Sequence, residues 1–119
     1  MSSSQLNEAL LDACANPDTT LSQVEELIEA GADVKAADIG GWTSLMHAAM
    51  YSTNPKVISA LINAGAELEA RSGKDKTPLM LASSHSTNPE VISALIKAGA
   101  ELEARSVNGW AALMFAASF

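Results

Sequence analysis

Apolar and polar positions alternate along the chain in a fixed order that is clearest between residues 43 and 71. Thr43 is a good N-cap, and Leu45, Ala48 and Ala49 follow at helical spacing, which predicts a short first helix. Ser52-Thr53 break it. Asn54 then offers a second N-cap and Pro55 sits at N1, where its missing N–H costs nothing. Val57, Ile58, Leu61 and Ile62 form the apolar stripe of a second helix, with Gly65 as its C′ residue. Beyond it Glu67-Leu68-Glu69-Ala70-Arg71 alternates polar and apolar, the period of a short extended arm. The predicted unit is helix, turn, helix, hairpin.

That unit repeats. Residues 52–72 (STNPKVISALINAGAELEARS) and 86–106 (STNPEVISALIKAGAELEARS) differ only at positions 56/90 and 63/97 and lie 34 residues apart. The same offset links Leu45, Leu79 and Leu113, and also Gly31, Gly65 and Gly99. VEELIEAGADV (24–34) fills the slot of ISALINAGAEL (58–68), and Thr20 with Gln23 forms a capping box in place of Asn-Pro. The units run over about 1–40, 41–74 and 75–108, with a partial unit at 109–119, in one repeat domain covering 1–119.

A 34-residue period also fits tetratricopeptide repeats, but those have no extended arm, and their Trp-Leu-Gly-Tyr pattern is missing here. The segments TSLMHAA (43–49), TPLMLAS (77–83) and AALMFAA (111–117), and the second helices ending in AGA, resemble instead the TPLHxAA and LLxxGAD signatures of ankyrin repeats. The extra residue relative to the usual ankyrin period lies between the helices, and this NPxVI variety resembles bacterial ankyrin arrays. The resemblance implies an all-α repeat solenoid, a stack of helix-turn-helix units joined by short β-hairpin loops. It also implies a non-catalytic module that binds a partner protein on its concave face. Three departures stand out. Met46, Met80 and Met114 replace the His of TPLH, so methionine packing takes over from its hydrogen bonds. The Asp expected at the hairpin survives as Asp38 and becomes Ser72 and Ser106, while the arm's Asn is Lys35, Glu69 or Glu103.

Composition agrees with thin layers. Hydrophobic residues make up 48% of the chain and aromatics only 4%, so the core is built of Ala, Leu, Ile, Val and Met, which suit close helix packing. A formal net charge of −7 disfavours nucleic acid and anionic membrane surfaces as partners. The lone Cys14, the polar start Met1-Ser2-Ser3-Ser4-Gln5 and the lack of a long apolar run point to a cytoplasmic protein.

Catalytic chemistry finds no constellation. His47 and His85 occupy different places in successive units, Ser83-Ser84-His85 are contiguous on a helix end, and no carboxylate pair has acid–base spacing. Two histidines without supporting carboxylates give no metal site, and Glu67, Glu69, Glu101 and Glu103 read as a solvated edge; no cofactor is expected. Function is sought in columns that change chemical type while their neighbours stay fixed. These are Trp42/Lys76/Trp110, Met50/Ser84/Ser118, Tyr51/His85/Phe119, and the hairpin tips Ile39/Gly73/Val107 and Gly40/Lys74/Asn108. A core slot would not accept Trp and Lys in turn, so these columns are expected to face water. They nominate Trp42, Met50, Tyr51, Lys74, Lys76, His85, Asn108 and Trp110 as contacts for an unidentified protein partner. The structural alternative is that Trp42 staples onto His47 and Trp110 onto Phe115, and a stapled ring with one open face is also a preorganised anchor.

The ends suggest a second reading. Asp12 stands where later units have methionine, as a polar capping layer requires, whereas no second helix follows Leu113, Met114, Phe115 and Phe119. Either the chain is a fragment of a longer array, or this layer self-associates, making the protein an assembly element that is a monomer or a weak homo-oligomer through its C-terminal end.

Overall fold

The computed structural model describes residues 2–85 and 88–99, with His85 described in its backbone only. Six helices cover this span: α1 (Ser3–Ala15), α2 (Leu21–Glu29), α3 (Ser44–Tyr51), α4 (Pro55–Asn63), α5 (Pro78–His85) and α6 (Pro89–Lys97). Among the described residues there is no strand, only an isolated antiparallel bridge between Ala37 and Thr43.

Each start has a local cause. The Thr20 hydroxyl accepts from the Gln23 N–H at 3.3 Å while the Gln23 side chain accepts from the Thr20 N–H at 2.9 Å, the expected capping box. Ser2 and Gln5 do the same at the head of α1. At α3 the Thr43 hydroxyl caps the Met46 N–H, and the Met46 sulfur takes the glutamine's place, accepting from the Thr43 N–H at 3.5 Å. Asn54 and Asn88 cap α4 and α6 through the N–H groups of Lys56 and Glu90, at 3.0 and 2.9 Å, with proline at N1. Gly65 ends α4 at φ 104°, which lets the Ala66 N–H reach back to the Leu61 carbonyl at 3.0 Å.

The first helices α1, α3 and α5 pack side by side, the second helices α2, α4 and α6 form a parallel row, and each helix also packs on its pair mate. Between the rows lie Leu45, Ala48, Ile58, Leu61, Leu79, Val91 and Leu95, all buried. Met46 and Met80 are fully buried, as expected of methionines that replace a hydrogen-bonding histidine; Met114 lies outside the described residues. Layers are also tied by polar bonds: the Ser44 hydroxyl donates to the Val34 carbonyl at 3.3 Å, and the Asn88 amide donates to the Thr53 carbonyl at 2.7 Å.

Two expectations need correction. The 34-residue offset also predicts buried columns Leu11/Leu45/Leu79 and Leu27/Leu61/Leu95, yet Leu11 and Leu27 are only half-buried, and Leu10, Cys14 and Val24 are the buried residues of α1 and α2. The arm is not extended: the backbone turns at Leu68-Glu69, as it does at Val34-Lys35, where the Ala36 N–H donates to the Asp33 carbonyl at 3.2 Å. With no neighbouring strand among the described residues, the arm meets part of its backbone hydrogen bonding locally. The alternation survives in facing: Leu68 and Ala70 are half-buried, whereas Glu67, Glu69 and Arg71 are exposed.

Candidate functional site

The loop before α3 closes as a hairpin. The Asp38 N–H donates to the Trp42 carbonyl at 2.9 Å, and the Gly41 N–H donates to the Asp38 carbonyl at 3.0 Å. One carboxylate oxygen of Asp38 accepts the N–H groups of both Gly40 and Trp42, each at 3.0 Å, so the side chain holds the tip. The next hairpin repeats this with a hydroxyl: Ser72 Oγ accepts from Lys74 and Lys76 N–H at 3.3 Å each. Serine thus replaces aspartate as the organiser of the turn. The two tips are joined by the Gly73 N–H, which donates to the Gly40 carbonyl at 2.8 Å.

Aspartate has a second oxygen, and that oxygen builds the site. His47 Nε2–H, one helical turn into α3, donates to Asp38 Oδ2 at 2.9 Å. Burial tends to raise the Asp38 pKa, but the His47 hydrogen bond, the Trp42 and Gly40 N–H groups and the His47 charge together hold it below its ordinary value. The anchored imidazole carries two rings. Trp42 lies 5.0 Å away at 38°, the expected staple, and Tyr51 lies 6.5 Å away, nearly parallel at 18°. Together with Ile39, Gly40 and Asp38 they line a shallow, mostly apolar cleft of about 340 Å³. Ile39 at the tip is fully exposed.

Of the nominated residues, Trp42 and Tyr51 both line this cleft, Tyr51 exposed and Trp42 half-buried by its staple. Met50 and Lys76 are half-buried rather than open, and Lys74 is exposed on the second tip. The His85 side chain, Asn108, Trp110, Leu113, Met114, Phe115 and Phe119 lie outside the described residues. Asp38 was missed as a member of the cleft, while Ile39 was named only as a variable hairpin tip and His47 only as the staple partner of Trp42. Their signal is a paired change between units: Asp38 with His47 becomes Ser72 with a buried Leu81, so the carboxylate and its imidazole partner leave together.

The other imidazole nitrogen, His47 Nδ1, is buried and has no hydrogen-bond partner among the described residues. Burial pushes the Cys14 thiol up to about 12, which leaves it protonated and unreactive. Among the described residues no group of three His, Cys, Asp or Glu side chains could hold a metal ion, and no helix is long and apolar enough to cross a membrane.

Compared with known protein families, residues 46–96, from α3 into α6, match ankyrin repeats (many copies). Ankyrin repeats therefore occupy residues 46–96 of the chain. A search of curated proteins returns no match. Ankyrin repeats are in general protein–protein interaction modules and are typically non-catalytic. In this ankyrin stack a wider depression, about 640 Å³, lies on the outer row between α4 and α6. Pro55, Ser59 and Ile62 line it and recur one repeat on as Pro89, Ser93 and Ile96, while Glu90 and the pair Asn63 and Lys97, which also line it, stand at the two positions where the near-identical segments differ. The cleft at Asp38–Tyr51 also lies where the units differ.

Asp38→Ala is expected to cost about 1 kcal/mol, because the three donors it releases are partly reached by water. The sign with pH follows from its depressed pKa. The contribution is complete above the unfolded-state value and is lost as pH falls through the folded one, so wild type and variant should converge in chemical denaturation below about pH 4.

Proposed function

We propose that this ankyrin stack binds a partner protein through the concave face formed by the hairpin tips and first helices, with Ile39, Trp42 and Tyr51 as anchors. One observation carries the reading: an exposed apolar cleft whose rings are held in place by the Asp38–His47 hydrogen bond. Rings fixed before binding lose little entropy on contact, and Trp and Tyr are the residue types that most often dominate interface energies. Neighbouring layers roughly 10 Å apart extend the contact strip along the tips, with Lys74 and Lys76 continuing it. The proposal takes residues 1–119 as one repeat domain acting in the cytoplasm.

The test compares immobilised wild type with a Trp42→Ala/Tyr51→Ala variant. Proteins retained by the wild type are expected to be retained at least about tenfold less by the variant. Its helical spectrum should be unchanged, since Tyr51 is exposed and Trp42 is only half-buried. Equal retention would place the binding face elsewhere.

A further inference from the structure

The cleft is bordered by opposite charges. On the α1 side it adjoins a smaller depression of about 210 Å³ lined by Glu8, Leu11, Asp12, Ala15, Asp38 and His47. The two share Asp38 and His47, so the surface is continuous. Glu8 and Asp12 are exposed on α1, and neither forms a salt bridge within the described residues. On the other side stands the second hairpin, joined to the first through Gly73 and Gly40, with Lys74 exposed at its tip and Lys76 beside it. The acidic group of that hairpin, Asp75, is held by Arg71 at 3.3 Å, and the exposed Lys74 gives the tip its positive charge. Acidic, apolar and basic patches therefore follow one another across the stack.

We infer that the partner contributes an extended segment carrying, in spatial order from α1 toward α5, a cationic residue, a bulky apolar residue and an anionic residue. This rests on the proposed binding face and adds the chemistry of what it receives. Layers repeat at roughly 10 Å, and an extended chain advances about 3.3 Å per residue, so the charges stand about three residues to either side of the apolar anchor. The apolar residue enters the cleft between Ile39 and Tyr51, over Trp42. The flanking charges add modest affinity and fix the register, as exposed complementary charges do.

Fluorescence anisotropy with short labelled synthetic peptides on the full chain tests this. Four peptides share a serine–glycine background: Arg–Trp–Glu with charges about three residues from the tryptophan, the doubly basic Arg–Trp–Arg, the doubly acidic Glu–Trp–Glu, and Arg–Ala–Glu. The mixed peptide should bind tightest, each mismatched charge weakening it about threefold and loss of the ring about tenfold. Lys74→Glu should transfer the preference to the doubly basic peptide, and Glu8→Lys/Asp12→Lys to the doubly acidic one. These substitutions change exposed side chains, so folding is retained. Equal affinity for the three charge patterns, unaltered preference in both variants, or no binding of any peptide would overturn the inference. If Trp42→Ala abolishes binding while charge pattern has no effect, the face stands and only the charge order fails. If Trp42→Ala leaves every affinity unchanged, the face itself is wrong.

Discussion

Leu45→Ala is expected to lower the unfolding free energy by about 2–5 kcal/mol, the range for removing a fully buried leucine with incomplete collapse of the cavity. Leu45 is 0% exposed and lies on α3, which packs against α1, α4 and α5. Among the described helices only α3 and α4 pack against three others, so the loss is felt in the layers on either side, which in a repeat stack lean only on their neighbours. The residues around it, Ala48, Ala49 and Leu79, are small or already buried, so little can move in to fill the space. Urea denaturation followed by circular dichroism measures the loss as a lowered midpoint. A loss below about 1 kcal/mol would mean that the layer relaxes around the gap.

Gly41→Ala is expected to cost about 2–4 kcal/mol, which is large for a substitution in a surface loop. Gly41 has φ 78°, a backbone that costs an ordinary residue about 1–2 kcal/mol. The equivalent residue of the next hairpin is Asp75 at φ 64°, so that conformation alone is tolerated in this turn. The difference is proximity. A Cβ on Gly41 would meet the Gly73 nitrogen at 2.9 Å and the Ser72 carbonyl carbon at 3.4 Å, both backbone atoms with little freedom to withdraw. Relief requires the tips to part, which breaks the 2.8 Å bond from Gly73 to Gly40 and adds a cost of about 1–2 kcal/mol. The two tips also aim Ile39 and Lys74, so weaker peptide binding should accompany the loss of stability. Asp75→Gly is the control, with a small effect expected. If Gly41→Ala and Asp75→Gly both leave the midpoint in place, the tip-to-tip contact is not what holds the hairpins.

Local bonding was legible from residues alone wherever cause and effect lie within one helical turn. Thr20 with Gln23, Thr43, Asn54-Pro55 and Gly65 start or stop helices through bonds spanning at most five residues, and each does so in the structure. The repeat then carried the stack, because identical segments must present identical faces to their neighbours. Features that depend on having a neighbour, or on having none, were read less well. Leu11 follows the leucine column but is only half-buried on α1, and the arm at Leu68-Glu69 turns, with no strand beside it among the described residues. The site was half legible. Variable columns found Trp42 and Tyr51, and the staple named His47, but the role of Asp38 as its anchor crosses from hairpin to helix. Only the joint replacement by Ser72 and Leu81 records that contact in the sequence.

The most direct test of the proposed binding face is site-specific photo-cross-linking in the full chain. A benzophenone side chain in place of the fully exposed Ile39 reports on the cleft, and one in place of Ser59, exposed in the groove between α4 and α6, reports on the outer row. The expected result is a cross-linked partner from position 39 that disappears when Trp42→Ala is added, and none from position 59. Cross-linking from position 59 alone would contradict a concave binding face.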